Sequence, residues 1–148
     1  MEMIKENLDR IVEQVFLSTF ELPVVPDLER QAIDINPFSE DLRCSIRVMG
    51  GQNLKIVTDI PKSLIKKLAP FFFACEPKDV SEQDILDTMT ELTNMLGGNI
   101  KALFDQELSL GLPVLETSEE QVEENHKERF FRHYDCANEK FCIDVVSH

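Results

Sequence analysis

The chain has little of what a membrane, nucleic-acid or cofactor-binding protein needs. It contains no run of 18 apolar residues, and its longest apolar cluster, Ala69 to Cys75, is short and interrupted by Pro70. Nothing in it is therefore expected to span a bilayer. The opening MEMIKENLDR mixes charges and has no apolar h-region, so no targeting segment is expected; cysteines that read as reduced thiols make the cytoplasm the natural compartment. Basic residues are scarce: 15 Lys and Arg stand against 28 Asp and Glu, a net charge of −13. That balance argues against nucleic acid, whose phosphates call for clustered Lys and Arg, and against an anionic membrane surface. It leaves room for a phosphorylated protein partner if the contact is small and the partner brings its own metal.

Catalytic and ligand-binding motifs are missing too. There is no GxxxxGK[ST], no HExxH and no GxSxG. His126, His133 and His148 are scattered and read as surface or strand residues. The four cysteines, at 44, 75, 136 and 142, form no CxxC pair. A zinc site or a disulfide would need ligand spacing that is absent. Cys44 and Cys142 fall in alternating patterns, where cysteine packs as a small hydrophobe, so reduced thiols are expected. The reading is no metal site and no cofactor of its own.

What is present is an ordinary globular composition, 43% hydrophobic and 29% charged over 148 residues, enough for one domain covering 1–148 with a real core. Residues 3 to 20 place Ile4, Leu8, Ile11, Val12, Val15 and Phe16 at helical spacing, and Pro23 and Pro26 follow as stops. Residues 31 to 36 fit either a short strand or a loop. Leu42 to Met49 alternates, with Leu42, Cys44, Ile46 and Val48 on one side and Arg43, Ser45 and Arg47 on the other. Gly50-Gly51-Gln52-Asn53 is a turn into a second strand, Leu54 to Ile60, which completes a hairpin. A helix opening at Pro61 is expected to stop at or before Ala69, because Pro70 disfavours helical geometry in the residue before it. Ser81 to Phe104 is the longest helical pattern, with Ser81 a fitting N-cap and Asp84, three residues on, a near-match to the capping-box Glu. Leu108 to Leu115 reads as a strand, with Pro113 marking an edge or a bulge. Glu116 to Arg129 is acidic and reads as a solvated connection, with a partly helical course as the other option. Phe130 to Cys136 and Phe141 to Val146 form a closing hairpin around residues 137 to 140. These elements predict an α+β fold, a mainly antiparallel sheet packed against one long helix and two others.

The long helix carries two faces. Ile85, Met89, Leu92, Leu96, Ile100 and Leu103 fall within about 80° of its circumference, widened by Leu86 and Phe104. Opposite them lie Asp87, Glu91, Asn94, Gly98 and Lys101. Glu91 and Asn94 are neighbours at i, i+3, with Asp87 one turn earlier. Glycine inside a helix costs about 1 kcal/mol relative to alanine. On an exposed face it also leaves a notch that another backbone can approach. Taken alone, such a face is most often merely solvated, and Gly97-Gly98 also fits a kink or a helix contact.

The stretch Asp87-x-x-x-Glu91-x-x-Asn94, followed by Met95-Leu96-Gly97-Gly98-Asn99-Ile100-Lys101, resembles the signature helix of the CheC/CheX/FliY phosphatases. The flanks are similar as well: a hairpin and a Pro-opened helix upstream, a Gly-Asn-x-Lys segment at Gly98 to Lys101, and Leu110-Gly111-Leu112-Pro113-Val114-Leu115 downstream. The likeness runs from about Leu42 to the C-terminus, and a single signature copy resembles the CheX type. One departure is the spacing: 18 residues separate Asn94 from Pro113, fewer than the usual pattern, which leaves the role of Pro113 open. The resemblance implies an α+β fold, a homodimer formed through the sheets, and hydrolysis of the aspartyl phosphate of a CheY-like response regulator. It implies that Asn94 orients the attacking water and that Glu91 pairs with the receiver lysine. The Mg²⁺ is then supplied by the receiver, and Asp87, Gly98 and Lys101 make partner contacts. Asp87 also fits a plain solvated charge, and Lys101 a partner for Asp105. The alternative on the same scaffold is a non-catalytic module that binds a receiver or a flagellar-switch component.

Overall fold

The structure is a computed structural model that describes residues 1–30, 41–116 and 125–148. Helix α1 spans Glu2–Phe20. It buries Ile4, Leu8, Ile11, Val12, Val15, Phe16 and Phe20, the stripe its periodicity predicts with one aromatic added. It ends on Glu21 in the left-handed region, whose N–H satisfies the Leu17 carbonyl.

Strand β1, Val25–Asp27, follows at once. It contains Pro26, and a proline stop is all the local sequence shows. Its place at the edge of the sheet accounts for its tolerance of a residue with no N–H to donate.

Strands β2, Asp41–Met49, and β3, Leu54–Pro61, form the expected hairpin, with Val48 opposite Leu54 and Cys44 opposite Thr58. Gly50 turns the corner at φ 133°, a backbone region open to glycine, and a Cβ there would stand 2.9 Å from Leu108 Cδ2.

Helix α2, Lys62–Phe73, continues four residues beyond the expected stop at Ala69. Pro70 sits in its last turn, where losing one backbone donor removes a single ladder bond. Leu64, Ile65, Leu68 and Ala69 are buried on the turns before it, and that packing outweighs the local cost. Ala74, in the left-handed region, then ends the helix on the Pro70 carbonyl.

Helix α3, Glu82–Lys101, is the long element. The strand expected over 108–115 is split in two: β4, Ser109–Leu110, and β5, Val114–Glu116, pair separately with β2. Gly111 and Pro113 lie in the break, and the Gly111 N–H still reaches the Arg47 carbonyl at 2.8 Å. Pro113 thus marks an interrupted sheet edge, as its residue type implies.

Strands β6, Glu128–Cys136, and β7, Glu139–Ser147, close on a two-residue turn, Ala137-Asn138, with φ of 49° and 63°. Two successive positive φ values match the twist of a tight hairpin. The stretch read as a connection, 116–129, is bounded by strand residues, Glu116 in β5 and Glu128 and Arg129 in β6. Residues 117–124, and the ambiguous 31–36, lie outside the described residues.

Among the described residues all pairings are antiparallel, in the order β1-β6-β7-β3-β2-β4, with β5 also on β2. One face of this sheet meets the three helices in a common core of Cys44, Ile46, Ile56, Ile143, Val145 and their neighbours. The alternate residues on the other face form ion pairs: Arg43 with Asp59, Lys55 with Glu116, and Arg129 with Asp144. The α+β architecture is the expected one.

Candidate phosphatase site

Helix α3 is held at its start by a reciprocal cap. Ser81 Oγ accepts from the Asp84 N–H at 3.0 Å, and the Asp84 carboxylate accepts from the Ser81 N–H at 3.0 Å. Two donors with no intrahelical partner are thereby satisfied. Glu82 and Asp84 in the first turn and Lys101 in the last complement the helix dipole.

The inner face is fixed by packing. Ile85, Met89, Leu92, Leu96 and Ile100 are buried as their spacing predicts, while Leu103 and Phe104 fall past the helix end and are half-buried. Thr88, Thr93 and Gly97 are buried with them, which the apolar pattern does not show. Thr93 Oγ1 lies 2.7 Å from Thr58 Oγ1 on β3, with the Met89 carbonyl 3.0 Å from the first and the Cys44 carbonyl 3.1 Å from the second. This polar seam sets the rotation of the helix on the sheet. Gly97 sets its distance, because a Cβ there would come within 2.7 Å of Ile46 Cγ2.

With the inner face so fixed, Asp87, Glu91, Asn94, Gly98 and Lys101 are all carried on the opposite side. Asp87 is exposed and the other four are half-exposed. Asp87 accepts from Gln83 Nε2 at 2.8 Å, a local tie along the helix. Asn99 is likewise spent on its own helix, donating to the Met95 carbonyl at 2.8 Å. Among the described residues, no hydrogen bond or ion pair engages the side chain of Glu91 or Asn94, and Lys101 makes no ion pair with Asp105. A Cβ at Gly98 would meet no heavy atom within 4 Å. The outer face therefore presents an unengaged carboxylate and an unengaged amide about one turn apart, beside a notch. No His, Cys, Asp and Glu group able to hold a metal occurs among the described residues.

Other polar groups are occupied structurally. Burial raises the Asp59 carboxyl despite the Arg43 guanidinium 2.7 Å away. Burial also pushes against the charge on Glu116, but the Ser45 hydroxyl and the Lys55 ammonium outweigh it and hold that carboxyl below its ordinary value. All four cysteines are free thiols. Burial, with Asp59 and Asp144 nearby, pushes Cys142 up to about 12, so it is neither a nucleophile nor a ready ligand.

The model of the family described as "Chemotaxis phosphatase CheX" matches residues 42–134, which include both hairpin strands, the whole of α3 and the split edge. The chain belongs to the CheX family. Solved CheX structures share the fold over the whole chain. The chemotaxis protein CheX of Vibrio vulnificus superposes with a TM-score of 0.77 at 16% identity, covering 100% of both chains. A CheC-like superfamily protein from Shewanella sp. PV-4 gives 0.75 at 18% identity, covering 100% of this chain and 98% of that one. A CheX of Borrelia burgdorferi, solved in a complex described as CheX-CheY-BeF3-Mg²⁺, gives 0.69 at 14% identity, covering 96% of this chain and 95% of that one. No curated protein matches the sequence.

Proposed function

We propose that this CheX-family protein hydrolyses the aspartyl phosphate of a CheY-like receiver domain, with Asn94 positioning the attacking water and Glu91 fixing the register. The observation that carries this reading is the pair itself: Glu91 and Asn94 stand unengaged on the same outward face of a helix otherwise tied down at its cap, its hydroxyl seam and Gly97. Support comes from the family and from the Borrelia relative, which was captured with a CheY carrying BeF3 and Mg²⁺.

The division of labour follows from the chemistry. Phosphoryl transfer through a loose transition state gains mainly from positioning and charge stabilisation. The receiver brings the Mg²⁺ and a lysine, which supply the charge. The missing component is an ordered nucleophile. An amide accepts and donates at once, so Asn94 holds a water in line with phosphorus without competing as a nucleophile. A carboxylate at position 94 would repel the phosphoryl oxygens. Glu91, one turn earlier, meets the receiver lysine. Gly98 lets the receiver backbone come close, Lys101 adds a positive contact, and Asp87 lies at the rim. The acting unit is a homodimer joined through its sheets.

Receiver dephosphorylation by Glu91→Ala and Glu91→Lys tests the register role. The expected result is a large rise in KM for Glu91→Ala and no measurable acceleration for Glu91→Lys, which sets two cations against each other. Equal activity in all three proteins would remove Glu91 from the mechanism. Tight receiver binding with no effect of the wild-type protein on decay would leave a non-catalytic interaction module.

A further inference from the structure

The polar face of α3 is too small to hold a receiver by itself. A stable contact covers roughly 800 Å² on each partner, 20 to 30 residues, and the face supplies five. Its neighbouring surface is specific in kind. Met95 lies at i+4 from Glu91 and next to Asn94, and it turns towards α1, where its sulfur sits 3.7 Å from Thr19 Oγ1. Between the two helices runs an open groove of about 570 Å³. Gln14, Leu17, Ser18 and Thr19 of α1 form one wall and Met95 and Asn99 of α3 the other.

Two properties set this groove apart. None of its lining residues is charged, although the chain carries a net −13. A partner made negative by its phosphoryl group therefore meets no carboxylate among the residues that line the groove. And Leu17 stands 61% exposed on α1, off the apolar stripe that packs the core. An exposed leucine beside a partly buried methionine is the kind of apolar anchor that contact surfaces concentrate near their centre.

We infer that the α1–α3 groove, with Leu17 and Met95 as its anchors, is the docking subsite for the receiver domain, extending the contact from Asn94 and Glu91 onto α1. This rests on the reading of α3 as a receiver-phosphatase helix. The two parts of the surface then do different work. The polar face acts on the phosphoryl group, and the groove supplies affinity and selects among receivers.

The test compares binding and turnover. Affinity for a receiver held in its activated form with Mg²⁺ and beryllofluoride is measured for the wild type, Leu17→Glu, Ser18→Glu and Asn94→Ala. Leu28→Glu, equally exposed at 65% but outside both helices, is the control. Circular dichroism confirms folding, and sedimentation gives the oligomeric state. The expected result is about tenfold weaker binding for Leu17→Glu and Ser18→Glu, seen in turnover as a higher KM, with Leu28→Glu like the wild type. Asn94→Ala is expected to bind and fail in turnover. Wild-type affinity in both groove variants overturns the docking subsite while leaving the Asn94 mechanism standing. Dissociation of an oligomer by Leu17→Glu with receiver binding unchanged assigns the groove to a second copy of the chain and also overturns it. A wild-type protein that neither binds nor dephosphorylates any receiver removes the parent reading, and this one with it.

Discussion

Gly97 lies so close to Ile46 that a Cβ on it would stand 2.7 Å from Ile46 Cγ2, while a Cβ on the next residue, Gly98, would meet nothing within 4 Å. Two adjacent glycines thus answer to different demands, one internal and one external. Gly97→Ala forces a branched, fully buried side chain to shift, an overpacking cost of about 1–3 kcal/mol that exceeds the ~1 kcal/mol gained in helix propensity. Gly98→Ala collects that propensity gain without a clash. Thermal unfolding is expected to place Gly97→Ala below and Gly98→Ala above the wild type. Receiver dephosphorylation by Gly98→Ala is expected to fall about tenfold in kcat/KM, a loss of about 1.4 kcal/mol. A Gly98→Ala protein that is both stabler and fully active would show that no partner uses the notch.

The hydroxyl pair between α3 and β3 makes a second, separable demand. Thr93→Val leaves the Thr58 hydroxyl its bond to the Cys44 carbonyl, so the loss is expected to be modest, about 1 kcal/mol. Thr58→Val leaves the Thr93 hydroxyl its bond to the Met89 carbonyl in the same way and is expected to cost about as much. A double-mutant cycle by urea unfolding is expected to give a coupling near 1 kcal/mol for the 2.7 Å contact. Strict additivity would mean that the seam is not what orients the helix.

Much of this was legible in the residues, for reasons that particular positions make clear. The alternation of Leu42 to Met49 and the stripe of α1 were readable because one face of each is dry, and burial on one side imposes a period. The cap of α3 was readable because Ser81 and Asp84 satisfy backbone donors locally. Strand β1 was not, since three residues including Pro26 gain their order from β6, more than a hundred positions away. The run of α2 through Pro70 was not, since what sustains it is the burial of Leu64, Ile65 and Leu68 against other elements. At the site, the outer-face residues could be named from spacing alone. The groove could not, because Leu17 gains its meaning only from where α1 lies beside Met95.

The thiols are expected to divide three to one. Cys44, Cys136 and Cys142 are buried, and burial is the leading cause that raises each of them; Cys75, at the end of α2, is half-buried. Native protein treated with a thiol reagent at neutral pH is expected to label Cys75 first and the other three only on unfolding. Rapid labelling of Cys142 in the folded protein would contradict its place in the sheet.

Acid stability is expected to follow Glu116. Its folded carboxyl titrates below the reference value of 4.5, so the stabilisation it contributes is present above that pH and is lost as pH falls through the lower, folded value. Unfolding free energy measured against pH is expected to fall more steeply in the wild type than in Glu116→Gln below 4.5, with the two curves converging in stronger acid. Parallel curves would place the loss on another carboxylate.

In the proposed mechanism Asn94 supplies an ordered water to a receiver that already carries its own charge stabilisation. The direct measurement is the decay of a phosphorylated receiver with the wild-type protein and with Asn94→Ala, each at saturating concentration. Acceleration by the wild type is expected, with a loss of about 100-fold, about 2.7 kcal/mol, in Asn94→Ala and receiver binding retained. Unchanged acceleration by Asn94→Ala would contradict it.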